Sequence, residues 1–214
     1  MNHSAVILAG GKSSRMGRDK AFLQRAGEPL LARQIRLARE AGAEEIFISG
    51  RGNVDYSEFG CRVLQDRFAD AGPLAGIERA LAESATDFIL VLAVDLPEMS
   101  AAFLQTLLAE CREGIGAVPG VAGRLEPLAA VYPRRAHPLA AALLEKNTRA
   151  ARHFAEQSVR RRLVRVLDRE AVDDRLFANW NRPTDWASGR VDDPDAPSGQ
   201  RCLTKPECRC SDGR

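Results

Sequence analysis

Residues 8–20 read Leu8-Ala9-Gly10-Gly11-Lys12-Ser13-Ser14-Arg15-Met16-Gly17-Arg18-Asp19-Lys20. Glycines allow a backbone to approach an anion closely, and Lys12, Arg15, Arg18 and Lys20 bring the charge that phosphate oxygens require. A connecting loop has no need of four cations, so this segment is the first candidate for binding a phosphorylated ligand. Two familiar phosphate loops are excluded by spacing. A P-loop needs a glycine five positions before Gly11, where the chain has Val6, and the segment contains no G-x-G-x-x-G.

The second candidate is Asp95. It follows the apolar run Phe88-Ile89-Leu90-Val91-Leu92-Ala93-Val94 and precedes Pro97, which places a carboxylate at the end of a buried strand. Mg²⁺ takes few protein carboxylates and completes its shell with phosphates and waters, so one well-placed aspartate is enough for a metal-nucleotide site. The competing role is a cap for the following helix, and Ser100 stands better for that. Asp66 also follows a strand pattern and precedes the Gly72-Pro73 turn; a turn-forming aspartate explains it nearly as well as ligand contact.

Other chemistry-bearing residues point less directly to a site. Asn179 and Asn181 bracket Trp180, so in a strand both amides share one face, and turn formation before Pro183 is an equal alternative. The run Arg160-Arg161-Arg162 with Arg165 reads as a solvated face before it reads as a phosphate site. His3, His137 and His153 form no ligand-spaced pair, and Cys202, Cys208 and Cys210 lack a fourth ligand at suitable spacing, so no zinc site is expected.

The elements that must hold these residues alternate short β-branched runs with helical spacing, the pattern of a mostly parallel sheet with crossover helices. Strands are expected at 5–8, 45–49, 61–64 and 88–94, and helices at about 29–41, 73–85 and 100–114, which fits four strand–helix units. The Gly10 loop and Asp95 then both fall at carboxyl ends of strands, where open α/β sheets bind ligands. Residues 115–118 and 127–132 are separated only by a glycine-rich turn, which predicts an antiparallel insertion. Helices at 135–145 and 148–157, a strand at 162–167 and a short segment at 177–181 complete a three-layer α/β/α domain over 1–188.

With 214 residues, 45% apolar and 28% charged, the chain suits one soluble globular domain. Its net charge of +2 gives no field for nucleic acid or an anionic membrane, and the longest apolar run is too short to span a bilayer. The opening lacks the basic leader of a signal peptide, and an odd five cysteines suit a reducing compartment, so a cytoplasmic location is expected. From 189 to 214 the chain is rich in Gly, Pro, Asp, Ser and Arg and cannot offset its ordering entropy, which predicts a disordered tail. Deleting 190–214 should therefore leave both the thermal unfolding midpoint and catalytic turnover unchanged; a large loss of either would place the domain boundary further along the chain.

The glycine loop resembles the nucleotide-binding loop of the small nucleotidyltransferases, and specifically of the molybdenum cofactor guanylyltransferases. Four further stretches are similar in order and spacing: Gln65-Asp66 with Gly72-Pro73-Leu74-Ala75-Gly76-Ile77, Ala93-Val94-Asp95-Leu96-Pro97, Glu126-Pro127-Leu128-Ala129-Ala130-Val131-Tyr132, and Asn179-Trp180-Asn181-Arg182-Pro183-Thr184-Asp185. The resemblance covers residues 4 to about 187. It implies transfer of GMP from MgGTP to molybdenum-molybdopterin with loss of pyrophosphate. Leu8, Ala9 and Gly10 are then assigned to the base or ribose, Gly11, Arg15 and Lys20 to the triphosphate, Ser49 to a nucleotide contact, and Asp66 to a nucleotide contact or support of the metal site. Asp95 is assigned to Mg²⁺, and Asn179 and Asn181 to the pterin side. Transient contacts with cofactor-assembly proteins and molybdoenzymes are also implied. A cytidylyltransferase acting on the same pterin, another small-molecule nucleotidyltransferase, and a nucleotide-binding chaperone that delivers cofactor are the competing readings. Lys20 and Asp95 argue against a purely binding role.

Overall fold

A computed structural model describes residues 1–10, 19–68, 71–167 and 173–178. Gly11, Lys12, Arg15 and Arg18 of the cationic loop, Asn179 and Asn181, and the whole 189–214 tail lie outside the described residues.

The sheet is built around two wholly buried strands, β1 (His3–Leu8) and β6 (Phe88–Ala93), paired in parallel from His3↔Phe88 to Leu8↔Ala93. Burial of every residue explains why both read as continuous apolar runs instead of alternating ones. Parallel strands β4 (Ile46–Ser49) and β5 (Arg62–Leu64) extend the sheet on the far side of β1. Beyond β6 lie β9 (Ala129–Pro133), β7 (Gly116–Val121) and β10 (Val164–Leu167), so the order is β10-β7-β9-β6-β1-β4-β5, with β8 (Arg124–Leu125) hairpinned onto β7. The antiparallel insertion takes a specific form: β9 lies between β6 and β7 and runs antiparallel to both.

Helices cover both faces. Helices α1 (Leu30–Glu40) and α3 (Ala101–Ala109) bury Ile35, Leu37, Phe103 and Leu107 in the cluster that takes Ala5 and Ile7 of β1. Helices α2 (Pro73–Glu83), α4 (His137–Glu145) and α5 (Ala151–Arg160) bury Leu74, Ile77, Leu139 and Phe154 against Val6 and Leu8 on the other face. This is a three-layer α/β/α arrangement, and among the described residues no helix is long and apolar enough to cross a membrane.

Local signals account for most boundaries. Ser100 caps α3 by accepting from the Phe103 N–H at 3.2 Å, and Pro73 opens α2 after Gly72, whose φ is +69°. Two expectations need correction. Helix α3 stops at Ala109, not near 114, because Arg112 and Ile115 exchange backbone hydrogen bonds across a turn with Gly114 left-handed, which feeds directly into β7. Only three of the four expected strand–helix units exist, since β4 reaches β5 through a loop with one 3-10 turn at Ser57–Phe59. Phe177 closes a 3-10 turn, Asp174–Phe177, and its ring packs edge-on against Phe103.

Gly76 marks where α2 presses onto the carboxyl ends of the strands. A Cβ there would sit 2.2 Å from Ser49 Oγ and 2.8 Å from Leu8 Cδ2, both in buried positions. Gly76→Ala should therefore destabilise the fold by about 1–3 kcal/mol through overpacking, read as a lower midpoint in thermal or denaturant unfolding. An unchanged midpoint would mean that α2 shifts freely over the sheet.

Candidate active site

The chain leaves β1 toward β4 and β5 on one side and returns to β6 on the other, so the order β5-β4-β1-β6 reverses between β1 and β6. At such a reversal the loops after the two strands diverge and open a crevice. The register puts Leu8 level with Ser49 and Ala93, and Ser49 level with Leu64, so the loops carrying Gly10, Ser49, Asp66 and Asp95 rise from one line.

Lys20 and Asp95 meet across this crevice. Lys20 Nζ donates to Asp95 Oδ2 at 2.9 Å, with the two side chains 16% and 24% exposed. Asp95 Oδ1 has no hydrogen-bond partner among the described residues. The loop bearing Asp95 is braced from below: Gln34 Nε2, fully buried, donates to Leu96 O at 2.8 Å, and Arg33 donates to the carbonyls of Pro97 and Met99. Arg25, from the two-residue hairpin strands β2 (Gln24–Arg25) and β3 (Glu28–Pro29), donates to Pro97 O and grips the Glu98 carboxylate with one nitrogen at 2.8 Å from each oxygen. Asp95 is thus not the cap of α3, a role Ser100 fills, and its backbone is fixed by groups outside its own loop.

On the β1 side the Ala9 and Gly10 amides both donate to Ser49 O, at 2.8 and 3.0 Å. The Gly10 N–H is therefore committed to protein and not aimed at a phosphate. A Cβ at Gly10 would meet the Gly50 backbone at 3.4 Å, which is tolerable, and no left-handed φ is required there. Among the described residues, neither packing nor backbone conformation calls for glycine at this position.

Ser49 and Asp66 form a second layer behind this loop. Ser49 is 5% exposed, and its Oγ is turned toward Asp66 Oδ1 at 3.5 Å beneath α2. Desolvation pushes the Asp66 carboxyl up from the usual carboxylate range; the Glu78 charge adds to this, and the Ser49 hydroxyl opposes it. Arg67 lies 3.6 Å from Glu78, a fully buried carboxylate in α2 that also meets His137 at 2.9 Å. His137 is thus part of a helix-to-helix contact, as Arg165 is part of an ion pair with Glu110. Of the expected site residues, Leu8, Ala9, Gly10, Lys20, Ser49, Asp66 and Asp95 gather at one end of the sheet.

The residues missed by sequence reasoning are the bracing ones. Gln34 falls inside the apolar stripe of α1, and a lone amide among buried positions is the signal that it must bond a backbone group. Arg25 and Arg33 carry no such signal. Among the described residues no cluster of three or more His, Cys, Asp or Glu could hold a metal alone. A metal that arrives with its nucleotide needs less, and Asp95 Oδ1, without a hydrogen-bond partner among the described residues, is the kind of oxygen such a metal takes.

The fold is that of an α/β protein whose strand order reverses between β1 and β6, at the carboxyl ends of its central strands. Residues 5–165 match the MobA-like NTP transferase domain family, and the chain belongs to that family. It is 43% identical over 185 residues to a probable molybdenum cofactor guanylyltransferase of Opitutus terrae, covering 85% of this chain and 92% of that protein. It is 34% identical over 197 residues to the molybdenum cofactor guanylyltransferase of Xanthomonas euvesicatoria, covering 90% and 96%. The crystal structure of molybdopterin-guanine dinucleotide biosynthesis protein A from Archaeoglobus fulgidus shares the fold, with a TM-score of 0.67 and 21% identity over 87% of this chain and 96% of that one. The protein is a nucleotidyltransferase.

Proposed function

We propose that the protein transfers GMP from MgGTP to molybdenum-molybdopterin, forming the guanine dinucleotide cofactor and releasing pyrophosphate. The observation that carries this reading is the Lys20–Asp95 pair bridging the crevice between β1 and β6. The pair keeps a cation and a carboxylate mutually neutralised until a ligand separates them. In the transfer an oxygen of the acceptor's terminal phosphate bonds to the α-phosphorus while the bond to the β-phosphate oxygen breaks, and the electron pair leaves with pyrophosphate. Lys20 then turns to the triphosphate and offsets charge growing on the leaving group. Asp95 is the residue that would hold Mg²⁺, which when bound supplies charge neutralisation across the phosphates. The Gln34, Arg33 and Arg25 contacts keep the Asp95 loop in place, so that its carboxylate need not be ordered at each turnover.

The choice of guanine is supported by the resemblance of Gly10-Gly11 followed by Asp19-Lys20 and by relatives that bear the guanylyltransferase name. The test is to incubate the purified protein with Mg²⁺, molybdenum-molybdopterin and each nucleoside triphosphate in turn, measuring pyrophosphate and identifying the dinucleotide. Guanine dinucleotide with stoichiometric pyrophosphate is expected. Cytosine dinucleotide would move the protein to the cytidylyl branch, and GTP binding without pyrophosphate would make it a carrier.

A further inference from the structure

The loop between β4 and β5 contains a side chain that no catalytic reading uses. Tyr56 is 1% exposed and among the largest side chains fully buried here, yet it sits in a polar loop that makes only one 3-10 turn. Its hydroxyl joins two segments. It donates to Asp19 Oδ2 at 3.1 Å and accepts from the Arg51 N–H at 3.2 Å. Asp19 has a 9% exposed side chain, and its other oxygen accepts from the Ala21 N–H at 3.0 Å, capping the 3-10 turn Lys20–Phe22. The Phe22 and Leu23 amides close that turn onto Asp19 O and Lys20 O. The Tyr56 ring packs elsewhere, against Gly50. A Cβ on Gly50 would lie 2.2 Å from that ring, and Gly50 in turn lies under Gly10. Phe22 stacks over the ring with an interplanar angle of 11°.

We propose that Tyr56 is a positioning residue for nucleotidyl transfer: through Asp19 its hydroxyl sets the backbone of Lys20 opposite Asp95, and through Gly50 its ring supports the Gly10 loop. The inference rests on Lys20 being the triphosphate's cation. Lys20 has a long, flexible side chain whose charge is useful only if its base is fixed, and the cap at Asp19 is what fixes it. Without Tyr56, Asp19 would keep the cap bond and the Arg51 guanidinium 3.9 Å from Oδ2, but lose the buried hydroxyl that donates to that oxygen at 3.1 Å. Burial pushes the Tyr56 phenol pKa up, so the hydroxyl remains a donor to Asp19 across the neutral pH range.

The decisive variant is Tyr56→Phe, which keeps the ring against Gly50 and Phe22 and removes one hydroxyl. GTP and GMP binding are measured by calorimetry, with kcat and KM for GTP, in the wild-type and Lys20→Met backgrounds. GTP affinity should fall roughly fivefold to tenfold, GMP affinity should hold, and the loss should vanish when Lys20 is already Met. Asp19→Ser is the second variant, since serine keeps a capping oxygen but not the bond to Tyr56; it should show the same triphosphate-selective loss, and it serves if Tyr56→Phe fails to fold. Equal losses for GTP and GMP, or a full further loss in the Lys20→Met background, would show that Tyr56 does not act through Lys20. If Lys20→Met weakens GTP binding while both new variants bind normally, the positioning role alone is wrong. If Lys20→Met both binds GTP and turns it over normally, the triphosphate role of Lys20 falls and the positioning role falls with it.

Discussion

Lys20→Met should leave a folded protein whose turnover at saturating GTP is reduced at least about thirtyfold, the equivalent of roughly 2 kcal/mol for a charge-assisted contact to a developing anion. Methionine preserves most of the aliphatic stem, so the packing of the turn Lys20–Phe22 survives while the charge is lost. The expected effect is larger on kcat than on GTP affinity, because the charge on the departing pyrophosphate grows as the bond to the α-phosphorus breaks. The variant also frees the second oxygen of Asp95, with which Lys20 pairs at 2.9 Å. Steady-state kinetics with pyrophosphate release as the signal, alongside a thermal melt, test this. Turnover near the wild-type value would pass the leaving-group role to another cation of the loop.

The cost of that variant to stability should be small. An ion pair whose members are 16% and 24% exposed is partly screened, and such pairs contribute on the order of 1 kcal/mol or less. The crevice charges are held in place by the sheet and by the braces on the 96–99 loop, not by each other.

Much of this arrangement can be read from residue order. Strand β6 announces itself by an uninterrupted apolar run that only a strand covered on both faces can bury, and its end places Asp95. The Ser100 cap, Pro73 at the start of α2 and the stripe of α1 are local signals, and local signals survive folding. What could not be read depends on contacts distant in the chain. The insertion of β9 between β6 and β7 is set by which sheet edge accepts it, and the short run of residues 115–118 and 127–132 specifies antiparallel pairing but not that neighbour. Ser49 illustrates the same limit at the site. Its position in the sequence suggests an open polar contact, but the close approach of Gly76 on α2 covers its hydroxyl and leaves its carbonyl to hold the Ala9 and Gly10 amides. Tyr56 and Asp19 stand 37 residues apart, and nothing in the pattern of either segment connects them. Val54, Tyr56 and Phe59, in a loop otherwise made of small and polar residues, are the visible sign that the loop folds back onto something.

Asp95→Asn is the variant on which the enzyme reading depends most. Asparagine keeps the size of the side chain and can still accept from Lys20, and strand β6 beneath it is fully buried and unaltered, so the unfolding midpoint should stay close to that of the wild type. The braces from Gln34, Arg33 and Arg25 act on the Leu96, Pro97 and Met99 carbonyls and on Glu98, none of which the substitution touches. What changes is the charge at the mouth of the crevice. Magnesium dehydrates reluctantly and is held by few protein carboxylates, so a neutral amide in place of Asp95 should weaken the metal-nucleotide complex and cut transfer by roughly a hundredfold or more. The measurement is GMP transfer across a Mg²⁺ titration, with thermal unfolding of the same preparation. A folded protein whose residual activity demands much higher Mg²⁺ is the expected result. Loss of the folded state would instead make Asp95 a structural residue of the loop, and full activity at low Mg²⁺ would remove it from the mechanism, leaving Lys20 without the partner that the crevice geometry gives it.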